Sequence, residues 1–74
     1  MSRRDDIYEL VAKNIKNERK KKNMKQAELA QKSGYSHVTI RKIESNNTKK
    51  YFSIDTICNI ANALEIEISA LFKK

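Results

Sequence analysis

Seventy-four residues form one domain, and a chain of this length buries only about 60% of the surface that it exposes when unfolded. Lysine and arginine number 16 against 9 aspartate and glutamate residues, which gives a formal net charge of +7 and favours polyanionic partners such as nucleic acid. From this size we expect no separate catalytic or ligand-sensing domain. The single cysteine, Cys58, suits a reducing compartment, and no apolar stretch is long enough to span a bilayer, so we expect a cytoplasmic location.

Apolar residues at helical spacing predict a first helix from about Asp6 to Lys22, after a loose N-terminal extension over residues 1–6. The residues expected on its inward face are Ile7, Leu10, Val11 and Ile15. Asn23 suits a left-handed cap at its end. A second, short helix is predicted from about Gln26 to Lys32, with Ala27, Leu29 and Ala30 buried, and Gly34 follows where a turn needs positive φ.

Ser36 is a good N-cap for a third helix that ends at about Ser45, with Ile40 and Ile43 facing inward. Residues 46–52 are predicted to form a basic loop. Ser53 then caps a fourth helix through Leu64, whose expected inward face is Ile54, Ile57, Ile60, Ala61 and Leu64. A short turn leads to a last helical segment over residues 68–72. The chain has no proline and one glycine, and the sequence therefore predicts an all-α fold of five helices.

The second and third predicted helices are short and are joined by a turn that contains glycine, which is the arrangement of a DNA-reading helix-turn-helix. Ala30 lies four residues before Gly34, where a small side chain lets the two helices approach each other. Ile40 and Ile43 would hold the third helix against the second. The outward positions of the third helix, which are then free to enter a major groove, are His37, Val38, Arg41 and Lys42.

The stretch Gln26–Ala30, together with Gly34, Ile40 and the pair Ile43 and Glu44, resembles the lambda-repressor-like family. This family includes the repressors and Cro proteins of lambdoid phages and the Xre-type regulators. The resemblance covers about residues 7–72. It implies a compact five-helix DNA-binding domain, with the helix-turn-helix formed by helices 2 and 3, that binds double-stranded DNA.

The resemblance also implies roles for individual residues. It implies that four residues read base edges: His37, Val38, Arg41 and Lys42. Gln26 matches a position that binds a backbone phosphate and braces the reading helix, and Arg19 and Glu44 match an ion pair between the first and third helices. The other residues expected to contact phosphates are Thr39, Ser45, Asn47, Thr48, Lys49 and Lys50. Two departures are Lys25, a poorer N-cap than the usual Ser or Thr by about 1 kcal/mol, and Asn46 in place of a common glycine.

For several residues of the chain, a role in packing is the alternative to a role in function. Val38 either contacts a thymine methyl group or belongs to the core. His37 is a single histidine without nearby ligands, so we expect no metal. Cys58 is expected to be buried packing, with a redox switch as the alternative. For the aromatic residues Tyr8, Tyr35, Tyr51 and Phe52, packing at the edge of the core is favoured over stacking on bases.

We therefore expect a sequence-specific regulator of transcription that acts as a homodimer on a two-fold operator, with no cofactor, no small-molecule ligand and no membrane partner. No arrangement of residues supports catalysis. The expected dimer interface is Ile66, Ile68, Leu71 and Phe72, unless these side chains only close the monomer core. The size favours a Cro-like switch or a restriction–modification controller. An antitoxin or another protein-binding module is the alternative, and the operator sequence and the choice between activation and repression stay open.

Overall fold

Four α-helices and a C-terminal 3-10 helix follow one another in the computed structural model, which describes residues 3–45 and 53–74 and, in the first helix, side chains from Ile7 onward. The α-helices are α1 (Arg3–Lys21), α2 (Gln26–Ser33), α3 (His37–Ser45) and α4 (Ile54–Leu64), and the 3-10 helix is Ile68–Phe72. These two described stretches contain no strand. The all-α prediction is confirmed, whereas the fifth predicted helix is a 3-10 helix.

Helix α1 begins at Arg3, before the predicted Asp6, so residues 3–6 are helical rather than part of a loose extension. Its buried stripe consists of Val11, Ala12 and Ile15 and continues to Arg19. Ile7, expected on the inward face, is about half exposed because it lies one turn before the point where the buried stripe begins.

Three residues with positive φ end the helices. Asn23 has a φ of 55° in the turn after α1, as predicted, and Gly34 has a φ of 84° after α2. The Gly34 N–H donates to the carbonyl oxygen of Ala30 at 3.0 Å, so the glycine closes α2 while turning the chain towards α3. Glu65 adopts the same conformation after α4, with a φ of 57°, and lets the Ile66 N–H donate to the carbonyl oxygen of Ala61.

The core lies where all five helices meet. Its apolar members are Val11, Ala12, Ile15, Met24, Leu29, Ala30, Ile40, Ile43, Ile57, Ile60, Ala61, Ala63, Leu64 and Leu71. Besides Ile7, two predicted core residues are wrong. Ile54 is 68% exposed because the buried stripe of α4 begins at Thr56, and Ala27 is exposed because the first turn of α2 lies outside the core.

The 3-10 helix is held against α1 by a side chain that the periodicity did not single out. Asn14 Nδ2 donates to the carbonyl oxygen of Leu71 at 2.9 Å and to that of Lys73 at 2.7 Å. Leu71 then occupies the core between α1 and α4. Within the described ranges, no helix has the length and apolar character needed to cross a membrane.

Candidate nucleic-acid interface

Helix α3 has one buried face and one exposed face. Ile40 and Ile43 are fully buried against the other helices, and Ser36 caps the helix by accepting a hydrogen bond from the Thr39 N–H at 3.1 Å. The four residues predicted to read bases are all exposed together on the remaining face: His37, Val38, Arg41 and Lys42. Val38 is 49% exposed, so the alternative in which it belongs to the core is wrong.

A buried ion pair joins α1 to α3 directly beneath this face. Arg19 Nε lies 2.6 Å from Glu44 Oε2, and Arg19 Nη2 lies 3.0 Å from Glu44 Oε1. The guanidinium also donates to the carbonyl oxygen of Met24 at 2.7 Å. The side chains of Arg19 and Glu44 are only 10% and 3% exposed, so the predicted pair is present and is structural rather than part of the charged surface.

Gln26 connects this ion pair to the first residue of α3. Its Nε2 donates to Glu44 Oε1 at 3.0 Å, and its Oε1 lies 3.3 Å from His37 Nε2. A chain of side chains therefore runs from the buried Arg19 through Glu44 and Gln26 to the exposed His37. The family resemblance implies that Gln26 braces α3, and these two contacts are the ones that connect Gln26 to α3.

The N-terminus of α2, next to Gln26, is open. Lys25 stands at the N-cap position and its side chain makes no capping hydrogen bond. The N–H groups in the first turn of a helix have no partner within the helix, and together with the helix dipole they favour an anion. The absence of a side-chain cap leaves this end of α2 available to an anionic group.

Two residues predicted to contact phosphates lie in α3. Thr39 is half-buried, and its Oγ1 accepts a hydrogen bond from Ser36 at 2.9 Å, which leaves its own hydroxyl hydrogen to donate outward. Ser45 is exposed, but its hydroxyl donates to the carbonyl oxygen of Lys42 at 2.9 Å and must turn away before it can donate to another group. The remaining predicted phosphate contacts lie outside the described residues: Asn47, Thr48, Lys49 and Lys50.

Positive charge dominates this side because nearby acidic side chains are already neutralised by cations. Glu44 is paired with Arg19, Glu18 lies 3.0 Å from Lys21, and Glu28 lies 3.9 Å from Lys32. The exposed basic residues between Arg19 and Ser45 are Lys20, Lys21, Lys22, Lys25, Lys32, Arg41 and Lys42. The net field over the exposed face of α3 therefore attracts a polyanion.

The residues predicted to form a dimer interface do not share one environment. Leu71 is completely buried in the core of the monomer, because the 3-10 helix turns it inward between α1 and α4, so it is not part of any surface. Ile66 and Ile68 are half-buried and pack against the core, and Phe72 is 40% exposed. Leu71 therefore closes the monomer core, Ile66 and Ile68 pack partly against it, and Phe72 is the exposed member of the set.

The aromatic residues and the cysteine considered in the sequence analysis are partly buried where the structure describes them. Tyr8 and Tyr35 are half-buried against the core, and the Tyr35 hydroxyl accepts a hydrogen bond from Asn59 Nδ2 at 3.0 Å. Cys58 is half-buried rather than buried. Tyr51 and Phe52 lie outside the described residues. The contacts of Asn14 and Asn59, and the individual partners of Gln26, were not predicted because each contact joins residues that are distant in the sequence.

The helix-turn-helix of α2 and α3, with the exposed basic side chains of α3, is the architecture of a DNA-binding protein. A family model described as helix-turn-helix matches residues 15–71, and the chain belongs to this Cro/C1-type helix-turn-helix family. It is therefore a regulator of transcription that binds double-stranded DNA, and not an enzyme.

Solved structures of similar fold agree with this assignment. One is the restriction–modification controller protein C.AhdI from Aeromonas hydrophila, with a TM-score of 0.81 and 26% sequence identity over 88% of this chain and 96% of that one. Another is a mutant of the restriction–modification controller protein C.Esp1396I, with a TM-score of 0.81 and 30% identity over 89% of this chain and 85% of that one. A comparison with curated proteins gave no match.

Proposed function

We propose that this protein binds a specific two-fold operator as a homodimer, with α3 of each subunit in the major groove. The observation that carries the proposal is the exposed set of four side chains on α3 opposite its two buried isoleucines, Ile40 and Ile43. The major groove admits an α-helix, and it presents a distinct pattern of hydrogen-bond groups for each base pair. Arg41 and Lys42 donate to acceptor groups such as guanine O6 and N7, and Val38 suits a thymine methyl group.

Contacts to the DNA backbone would fix the register of α3. The uncapped first turn of α2 offers N–H groups to one phosphate, and the Gln26 amide keeps a second hydrogen on Nε2 after its donation to Glu44. The Thr39 hydroxyl can donate to the same strand. Contacts of this kind position a protein without specifying sequence, whereas the exposed side chains of α3 specify it.

A homodimer accounts for the exposed apolar residues near the C-terminus. Dimers of helix-turn-helix proteins place their reading helices about 34 Å apart, one turn of DNA. The 40% exposed Phe72 and the half-buried Ile66 and Ile68 leave apolar area near the C-terminus that a second copy would cover. Leu71 takes no part in this surface because it belongs to the monomer core.

A controller of a restriction–modification operon is the regulatory role best supported. Both similar structures are described as restriction–modification controller proteins, and both align over more than four fifths of this chain and of their own. No feature of the described residues favours a Cro-like phage switch over this role. The genes beside the coding sequence distinguish the two roles directly, since a controller is expected next to an endonuclease and a methyltransferase.

Substitution of a base-reading residue tests the placement of α3. Lys42→Ala should weaken binding to the preferred operator by about 1–3 kcal/mol more than binding to random DNA, if Lys42 pairs with guanine. Lys32→Ala is the matched control, because it removes the same charge near the C-terminal end of α2 and should leave the ratio of the two affinities unchanged. Equal losses on both duplexes for Lys42→Ala would contradict base reading by Lys42.

A further inference from the structure

The side-chain amide of Gln26 has one orientation that satisfies its neighbours. Glu44 Oε1, at 3.0 Å, belongs to a carboxylate that is held in an ion pair with Arg19 and can only accept hydrogen bonds. The amide nitrogen of Gln26 must therefore face Glu44. Its amide oxygen consequently faces His37, whose Nε2 lies 3.3 Å away.

This orientation determines which nitrogen of His37 carries the hydrogen in the neutral ring. An amide oxygen can only accept, so the Nε2 of His37 must be the donor in this contact. In a neutral imidazole the other nitrogen is then an acceptor. In the described part of the chain, Nδ1 has no hydrogen-bond partner, and His37 is exposed on the reading face of α3.

We propose that Gln26 is a specificity-determining residue: it holds His37 as the Nε2–H tautomer, so that Nδ1 accepts a hydrogen bond from an exocyclic amino group in the major groove. The base that faces His37 is then adenine, through its N6 amino group, or cytosine, through its N4 amino group, because guanine and thymine offer only acceptors or a methyl group there. The proposal rests on the placement of α3 in the major groove given above.

Gln26 can position the His37 ring because its own side chain is held in place by Glu44. Its partner Glu44 is 3% exposed and is bound by two nitrogens of Arg19, which in turn donates to the backbone at Met24. Because Glu44 is held rigidly, it limits the rotation of the Gln26 amide. The orientation of that amide in turn determines which nitrogen of the His37 ring donates a hydrogen bond. A surface glutamine without such a partner would turn to suit either tautomer.

The tautomer can be measured without DNA, because His37 is the only histidine in the chain. A multiple-bond proton–nitrogen NMR spectrum of the untagged, nitrogen-15-labelled protein, at a pH where the ring is neutral, separates a protonated ring nitrogen from an unprotonated one. We expect hydrogen on Nε2 alone. Gln26→Leu should give a mixture of tautomers, and Gln31→Leu, at an exposed position of the same helix, should not. A wild-type ring that carries hydrogen on Nδ1, or a mixture equal to that of Gln26→Leu, would overturn the proposal.

The base preference is measured with operators selected from a random pool of duplexes. The base pair read by His37 is the one whose preference disappears in His37→Ala. At that pair we expect adenine or cytosine to face His37. Adenine is then replaced by 2-aminopurine, or cytosine by 2-pyrimidinone, each of which lacks the amino group that His37 would contact. The replacement should weaken binding of the wild-type protein on the order of tenfold and should not further weaken binding of His37→Ala. The stronger loss with one of the two analogues identifies the base.

The possible failures can be told apart. A preference for guanine at that position would mean that the ring donates from Nδ1, and it would overturn the tautomer proposal while leaving the proposed function intact. A failure to select any duplex would contradict the proposed function itself, and the base preference with it.

Discussion

Arg19 of α1 and Glu44 of α3 form a two-pronged ion pair, with Nε 2.6 Å from Oε2 and Nη2 3.0 Å from Oε1, and both side chains are almost completely buried. The pair joins α1 to α3 across 25 residues of sequence. A buried pair of this kind is costly to break, because the remaining charge stays buried without its partner. The orientation of α3 relative to the rest of the domain therefore depends on both residues.

Removal of the Glu44 carboxylate should destabilise the fold. Glu44→Ala leaves Arg19 buried and unpaired and should lower the free energy of unfolding by about 3–5 kcal/mol, measured by urea denaturation. Glu28→Ala is the control, since its exposed carboxylate lies 3.9 Å from Lys32 and should contribute less than about 0.5 kcal/mol. If Glu44→Ala populates the unfolded state without denaturant, Glu44→Gln gives a measurable transition. A loss no larger than that of Glu28→Ala would show that the pair behaves as a surface pair.

Asn14 should hold the C-terminal 3-10 helix in place. Asn14→Ala removes two hydrogen bonds, to the carbonyl oxygens of Leu71 and Lys73, and each contributes about 0.5–1.5 kcal/mol. Hydrogen exchange of the amides over residues 68–72 should become faster in this variant. Asn17→Ala changes an exposed asparagine on the same helix and should leave the exchange unchanged. Unaltered exchange in Asn14→Ala would mean that packing of Leu71 alone holds the segment.

Substitutions of Leu71 and Phe72 should have different effects, one on folding and the other on self-association. Leu71→Ala empties a fully buried site and should lower the free energy of unfolding by about 2–5 kcal/mol. Phe72→Ser changes a side chain that is 40% exposed, so it should weaken self-association while leaving the monomer folded. Sedimentation velocity over a concentration series measures the association, and circular dichroism measures the fold. A wild-type protein that stays monomeric at high concentration would contradict the proposed interface.

The helices were predictable from the sequence because the signals that begin and end them are local. Ser36 and Ser53 cap α3 and α4 by accepting hydrogen bonds from the N–H groups three residues later, and Gly34 supplies the positive φ between α2 and α3. The open N-terminus of α2 also follows from a single residue, Lys25.

Burial at the ends of helices was less predictable, because periodicity identifies a face and not how far the neighbouring helices extend along it. Ile54 and Ile7 have the right phase for the core and are exposed. Thr56 has a polar side chain and is buried, with its hydroxyl hydrogen-bonded to Ser53. In the same way, the apolar character of Leu71 did not reveal whether it faced the core or a partner.

Long-range side-chain contacts were predictable only where the family resemblance supplied them. The resemblance implied the pair Arg19 and Glu44, which is present. The contact of Gln26 with His37 was not foreseen, because it depends on how the first turn of α2 sits against α3. The contact of Asn14 with the 3-10 helix spans 57 residues, and no local pattern encodes it.

The central claim, that α3 reads a specific DNA sequence, is tested most directly by fluorescence anisotropy of the purified protein. One duplex carries a site enriched from a random pool and the other a scrambled version, each at two salt concentrations. The account predicts binding at least about a thousandfold tighter to the enriched site, with both affinities falling as salt rises because phosphate contacts release counterions. Equal affinity for the two duplexes at both salt concentrations would contradict it.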